Sequence, residues 1–461
     1  MKTLHLTNSW HASSGGIATF YRSLMQAANA RGHALSLVVP GKEDSIEHAG
    51  LHATIYQVRS KPSPVNRQYR MISPFAYLAR GSRLRQILQA ERPDLIEVCD
   101  KYTLNYFAAM LRAGMMGDVE CRPMVVGLSC ERMDDNVRAY LGWNRLAPHL
   151  VRFYMKWIYF SFFDQHVANS HYTAQELESV SHGHPIRRGV WVRPMGVDCR
   201  GLSPTHRSSL ARHYLLERLG AGRKAMLLLY VGRLVPEKNL ALLLETLSSL
   251  QSRQGRDWRL ILVGDGMERQ PFLAEAARRG VGHLISWLGH IRDREELARI
   301  YANCDIFLHP NPREPFGIAP LEAMASGLPL VAPNCGGILS YADLSNAWIV
   351  PPAGEAFAEA VREAIANHNL RERRVANALL TAEKFLWENV ANSFLDLYED
   401  LLRPQRGEPS LFPADFFSTP PETGKAAIAG GVAAVLQRLL ATRSGPQRVT
   451  QASWPHLWRS K

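Results

Sequence analysis

The chain has 461 residues, enough for two or three domains that each bury a core. Hydrophobic residues make up 46% and charged residues 21%, which argues against a mostly disordered, collagen-like or coiled-coil protein. Six cysteines without a Cys-x-x-Cys pair argue against a disulfide scaffold or zinc ribbon, and 54 basic against 42 acidic side chains leave a net charge of +12.

The positive surplus is uneven. Residues 1–200 carry 24 basic and 16 acidic side chains, residues 201–400 carry 22 and 23, and residues 401–461 carry 8 and 3. A basic first half suits an anionic partner such as phospholipid headgroups, a lipid-phosphate acceptor or nucleic acid, and equally a solvated cationic surface. The opening MKTLHLTNSWHASSGG turns polar too soon for a signal-peptide core, and no apolar run approaches the roughly 18 residues of a membrane span. A cytoplasmic location is expected, with peripheral contact on the inner face of the membrane left open.

In chain order, residues 4–8 read as a strand, 13–16 as a Ser/Gly turn, 17–31 as an amphipathic helix closed at Gly32, and 34–40 as a second strand. This βαβ start predicts a parallel sheet. Further strand-like runs lie at 94–98, 123–128 and 165–168, and turn residues place a domain boundary near 199–210. A second βαβ series follows. Its first strand, 225–232, is a nearly continuous apolar run of the kind buried on both faces. Strands at 259–264, 284–288 and 306–309 alternate with helices at 240–251, 267–279 and 294–302. The fold class is α/β, with two Rossmann-like doubly wound domains over 1–200 and 208–383. One amphipathic helix spans 384–402, and a basic extension at 403–461 holds a helix over 431–442.

The most informative stretch runs from Asn311 to Gly327. Residues 319–326 form a short helix with Pro320 in its first turn and Gly327 as its stop, so the amides of Phe316, Gly317 and Ile318 face outward at its positive end. An anion fits there, most naturally a nucleotide phosphate. Glu314 precedes the helix and Glu322 lies about one turn inside it, so both can border one pocket and accept from sugar or ribose hydroxyls. Without the flanking glycines, prolines and phenylalanine, they read rather as a solvated loop residue and a helix-surface charge. Arg233 and Lys238 follow the buried strand on a glycine-containing turn, at the edge where open α/β sheets bind ligands, and can converge on a diphosphate. Gly264 and Gly266 form a similar but weaker glycine turn.

Taken together, these pieces resemble the GT-B glycosyltransferases of group 1, a family that includes retaining mannosyl- and glucosyltransferases. The most specific match is the pair Glu314 and Glu322 around Pro-Phe-Gly-Ile, supported by Gly232-Arg-Leu-Val-Pro-Glu-Lys238, Val263-Gly-Asp-Gly266, Trp287-Leu-Gly289, Gly196-Val-Asp198, Gly15-Gly-Ile17, and Trp387 with Tyr398. The resemblance implies two domains facing across a cleft, with the late helix returning to the first. It implies that Arg233 and Lys238 neutralise the departing diphosphate, that the Gly16 amide assists, and that Glu322 binds ribose. It further implies that Glu314 binds the donor sugar, that the 316–318 amides lie beside the phosphates, and that residues 288–291, including His290, lie near the base. Retaining transfer on one sugar face, with the leaving phosphate helping to deprotonate the acceptor, needs no nucleophilic carboxylate.

The implied activity is transfer of a hexose, first mannose from GDP-mannose, to a lipid or saccharide hydroxyl. UDP-glucose is the alternative donor, and a non-catalytic nucleotide-sugar or anion-binding protein is the competing class. No cofactor, no metal site and no nucleic-acid partner are expected, since the chain contains no Asp-x-Asp and no recognisable nucleic-acid module. Two departures from the family pattern stand out. Cys130 occupies the place where relatives usually carry a histidine, so Glu131, Arg132 and Asp134 become acceptor-side candidates, or else a loop of local ion pairs. Residues 336–340, Gly-Gly-Ile-Leu-Ser, lack the glutamate many relatives place after the glycines. Residues 137–163 interleave aromatics with Arg138, Arg145, Arg152 and Lys156, a pattern that fits either a bilayer interface or a core helix rimmed by long cations.

Overall fold

A computed structural model describes residues 1–403 except 12–14, 64–68, 118, 120–121, 141–145, 183–188 and 253–254. The expected helix at 431–442, the extension after Arg403, and Ser13, Ser14 and Arg145 lie outside the described residues.

Two open sheets organise the chain. In spatial order the first runs Gly189–Val192, Gln165–Ala168, Met124–Ser129, Leu95–Cys99, Lys2–Thr7, Ala34–Gly41, Ala53–Arg59 and Ser45–His48. All of its pairings are parallel except the edge hairpin between Ser45–His48 and Ala53–Arg59. The second runs Ile285–Gly289, Trp258–Val263, Met226–Val231, Ile306–Leu308, Leu330–Pro333 and Trp348–Val350, parallel throughout. Parallel strands need covered faces, and the strands supply apolar side chains to both. Leu227 and Leu229 enter one core cluster while Leu228 and Tyr230 enter another, the two-residue period of a strand buried on both sides.

The first of these clusters runs through both domains. The helix Gly15–Arg31 buries Ala18, Tyr21, Leu24, Met25 and Ala28, a three-to-four-residue stripe, and ends at Gly32, whose φ of 70° stops it. The late helix Trp387–Leu402 lies along it, with the Phe20 and Phe394 rings 4.8 Å apart. A buried polar knot fixes this docking. Glu97 on the central strand accepts from Tyr21 at 2.9 Å, from Tyr398 of the late helix, and from His5 Nδ1 at 3.0 Å. The carboxylate is buried, so each donor offsets desolvation that would otherwise be uncompensated.

The late segment differs from the single helix expected over 384–402. A helix His368–Lys384 ends there, and Phe385 and Leu386 leave helical geometry before Trp387–Leu402 begins. The cause is tertiary. Val197 donates its amide to the Phe385 carbonyl at 2.8 Å and accepts from the Trp387 amide at 3.2 Å, so the two segments form one isolated parallel bridge. Gly196 permits this contact, because a Cβ there would lie 2.6 Å from the Trp387 ring.

Candidate active site

In the second sheet the strand Met226–Val231 is flanked on one side by Trp258–Val263 and on the other by Ile306–Leu308, so strand order reverses direction there. Loops leaving the carboxyl ends of such neighbours diverge and open a crevice. The two loops here are 232–239 and 309–317, which hold Arg233, Lys238 and Glu314.

These loops are tied together. Asn239, held at a left-handed φ of 52°, donates its side-chain amide to the Pro310 carbonyl at 3.0 Å. That places Lys238, at the end of the turn Pro236–Lys238, with its Nζ 2.7 Å from Glu314 Oε2. Asn311 donates to the same oxygen at 3.0 Å, and His309 Nε2 lies 3.8 Å from it. Burial pushes the Glu314 carboxyl up, but Lys238, His309 and Asn311 outweigh it and hold the group at about 2. His309, Asn311 and Asn239 were not singled out in the sequence. A histidine at a strand end reads as core, and asparagines read as turn formers; only their shared contacts reveal the cluster.

Glu322 has a different environment. It sits within the helix Ile318–Ala325, accepts from the Tyr301 hydroxyl at 2.9 Å, and burial pushes its carboxyl up. Its charged neighbours are Arg294 and Asp198, near the junction between the sheets. The two glutamates thus have separate partners, one held ionised by a lysine and the other hydrogen-bonded to a phenol.

Gly317 caps that helix at a φ of 91°, and Tyr341 donates its hydroxyl to the Gly317 carbonyl. The Phe316 side chain is buried against Tyr341 and Phe385, with centroids 5.1 and 6.1 Å away, so the residue has only backbone to offer a ligand. Gly337 packs behind this loop: its amide donates to the Glu314 carbonyl at 2.6 Å, and a Cβ on it would meet the Pro315 carbonyl oxygen at 1.9 Å. Across the cleft, a Cβ on Gly16 would lie 2.6 Å from Ile318 Cδ1, so the glycine start of the first helix meets the N-terminus of Ile318–Ala325. Ser170 donates to the Pro315 carbonyl, and Tyr140 donates to Glu237 at 2.6 Å, closing further contacts between the domains.

Arg233 is half exposed and pairs with Glu237 at 3.1 Å. Gly264 and Gly266 have their bareness explained by a neighbouring loop, since a Cβ on either would strike the Gly232 or Leu234 carbonyl oxygen at 1.9 or 2.2 Å. His290 is exposed just after the strand Ile285–Gly289. On the first domain, Arg132 forks onto Asp134 at 3.0 and 2.6 Å, a local ion pair, and lies over the Tyr172 ring. Glu131 accepts from Asn136 at 2.9 Å, and burial pushes its carboxyl up. Cys130 has its Sγ 3.9 Å from that of Cys99. No group of His, Cys, Asp or Glu among the described residues is arranged to hold a metal ion.

Two Rossmann-like sheets joined by a returning helix, with charged loops meeting at a topological switch point, define the GT-B architecture. The comparisons bear this out. Residues 216–380 match the model of glycosyl transferases group 1, and residues 14–200 match that of glycosyltransferase family 4. A Mycobacterium tuberculosis (strain ATCC 25177 / H37Ra) protein described as a GDP-mannose-dependent alpha-(1-6)-phosphatidylinositol dimannoside mannosyltransferase is 27% identical over 395 residues, covering 86% of this chain and 95% of that one. A D-inositol 3-phosphate glycosyltransferase of a Nocardioides species is 30% identical over 251 residues, 51% of this chain and 53% of that one. Among solved structures, sucrose-phosphate synthase from Thermosynechococcus elongatus superposes with a TM-score of 0.69 at 19% identity, covering 87% of this chain and 99% of that one. The chain belongs to the group 1 glycosyltransferases of the GT-B fold and is a nucleotide-sugar-dependent enzyme.

Proposed function

We propose that the protein is a retaining mannosyltransferase that moves mannose from GDP-mannose to a hydroxyl of an inositol-containing lipid. The observation that carries the donor half is the Lys238–Glu314 contact at 2.7 Å, a cation and a carboxylate placed together at the switch-point crevice. The donor and acceptor classes follow the mycobacterial relative that matches over most of both chains.

As the glycosidic bond breaks, negative charge grows on the leaving diphosphate. Lys238, Arg233 and the amides at the start of Ile318–Ala325 are donors within reach of that charge, so they bind the transition state more tightly than the ground state. Glu314 accepts from sugar hydroxyls and Glu322 from ribose. The leaving phosphate takes the acceptor proton on the same sugar face, which preserves the anomeric configuration.

Membrane contact belongs to the same reading. On the helix Ala147–Phe153 and the residue before it, Leu146, Leu150 and Phe153 are 67%, 66% and 54% exposed at four- and three-residue spacing, with Arg152 beside them. The following residues Met155, Tyr159 and Phe160 are buried, so the segment is part core and part exposed ridge. No helix among the described residues is long and apolar enough to cross a membrane.

The test is a transfer assay with GDP-mannose, UDP-glucose and UDP-GlcNAc against phosphatidylinositol mannosides, with the product linkage read by NMR. An α-linked mannolipid formed from GDP-mannose supports the proposal. Transfer from UDP-glucose alone replaces mannose with glucose, and a β-linked product removes the retaining mechanism.

A further inference from the structure

The loop after Ile306–Leu308 carries a side chain that the donor-site reading leaves without a task. His309 is 5% exposed, and its Nε2 has no hydrogen-bond partner although Glu314 Oε2 is 3.8 Å away. A buried polar atom left unpaired costs stability, and here it points at a group expected to meet substrate.

The single positive charge of Lys238 cannot neutralise both Glu314 and a diphosphate. Its Nζ lies 2.7 Å from Glu314 Oε2. An arriving diphosphate draws that ammonium away, which leaves Glu314 a buried carboxylate held mainly by the Asn311 amide at 3.0 Å.

We propose that His309 is a positioning residue that takes up a proton at Nε2 when Lys238 turns to the donor diphosphate, keeping Glu314 ionised and oriented toward the sugar hydroxyls. The inference rests on the donor-site reading above. The proton comes from solvent: an N–H bond forms at Nε2, no donor bond breaks, and the imidazolium replaces the departing ammonium beside Glu314.

The surroundings favour this exchange. The charged groups facing His309 are Glu314 on its own loop and Lys238 from the turn Pro236–Lys238. Tyr230 on the neighbouring strand and Tyr341 both feel Glu314, and burial keeps each protonated. Burial and Lys238 together depress the His309 imidazole to about 4, against the opposing pull of Glu314 and of the Asn311 backbone. Moving Lys238 away removes a cation while the carboxylate stays, and this raises the affinity for a proton.

Calorimetric titration of the full chain with GDP-mannose and with UDP-glucose, in buffers of differing ionisation enthalpy, reads the proton directly. The phosphates of a nucleotide sugar are diesters whose charge does not change near neutral pH, so uptake belongs to the protein. The expected result is uptake of about one proton per donor bound at pH 7, with affinity falling about tenfold per pH unit between the free-state pKa of about 4 and the pKa of the bound state, and levelling off above it. His309→Gln keeps an N–H for Glu314 but cannot titrate: it should bind donor with no uptake and a flat pH profile, and His309→Asn serves if the longer amide unfolds the chain. His309→Leu should weaken the sugar nucleotide more than free GDP, since Glu314 meets the sugar.

Donor binding without proton uptake in the wild type overturns the inference and leaves the donor site standing. So does uptake that persists in His309→Gln, which puts the proton on another group, with His11, held at about 4 mainly by burial and also by Arg233, as the first to substitute. Absence of binding by either sugar nucleotide overturns the donor-site reading and this inference with it.

Discussion

Lys238 and Glu314 carry the account at the scale of single residues. Lys238→Ala should lower donor turnover by roughly 10²-fold or more, as loss of one fixed donor to a developing charge does elsewhere. It should also lower the melting temperature at neutral pH, because Glu314 is left buried without its cation, at a cost of about 1–3 kcal/mol. Turnover within twofold of wild type in initial-rate assays would remove Lys238 from the leaving-group role. The pH dependence of folding adds a second check. The folded-state pKa of His309 is depressed to about 4 from an ordinary 6.5, so its contribution is present above 6.5 and lost as pH falls through 4. Denaturant midpoints of His309→Gln should therefore fall less steeply than wild type between pH 6.5 and 4. Much of this site was legible in sequence, because Glu314, Glu322, Arg233 and Lys238 sit in motifs whose spacing is local. The partners His309, Asn311 and Asn239 were not, because their contacts depend on how two loops meet. The fork between Arg132 and Asp134, two positions apart, is as local as any motif and matches the ion-pair alternative that the sequence offered for this loop.

At the scale of elements, glycines decide where loops can touch. Gly337→Ala would push a Cβ into the Pro315 carbonyl oxygen, now 1.9 Å from that position, and displace the loop that carries Glu314. We expect a stability loss of about 1–3 kcal/mol together with reduced donor affinity, read by denaturant titration and donor binding. Wild-type values for both would show that the loop tolerates the shift and is not a tight mount. The strands were legible because a run such as Leu227, Leu228, Leu229 and Tyr230, buried on both faces, is continuous in sequence. The break at Phe385 and Leu386 was not, because the helical period continues through it. It arises from pairing with Val197, almost 190 positions earlier in the chain.

At the scale of the whole molecule, the halves meet through Ser170 with Pro315, Tyr140 with Glu237, and Arg313 with Asp135 at 3.6 Å. None of these pairs is visible in sequence, since each joins residues on different domains. The outward ridge of Leu146, Leu150 and Phe153 gives the molecule an apolar edge on its basic first half. Flotation with anionic vesicles should show association that weakens at high salt and is lost in Leu150→Glu/Phe153→Glu; wild type that fails to float in either salt rules out the membrane contact. The central claim is that the crevice between the sheets grips a nucleotide sugar and eases departure of its diphosphate. Release of GDP from GDP-mannose by wild type and by Lys238→Ala, measured side by side without acceptor, tests it most directly. The account predicts slow but measurable release by wild type and a rate roughly 10²-fold lower in the variant; equal rates in the two proteins would contradict it.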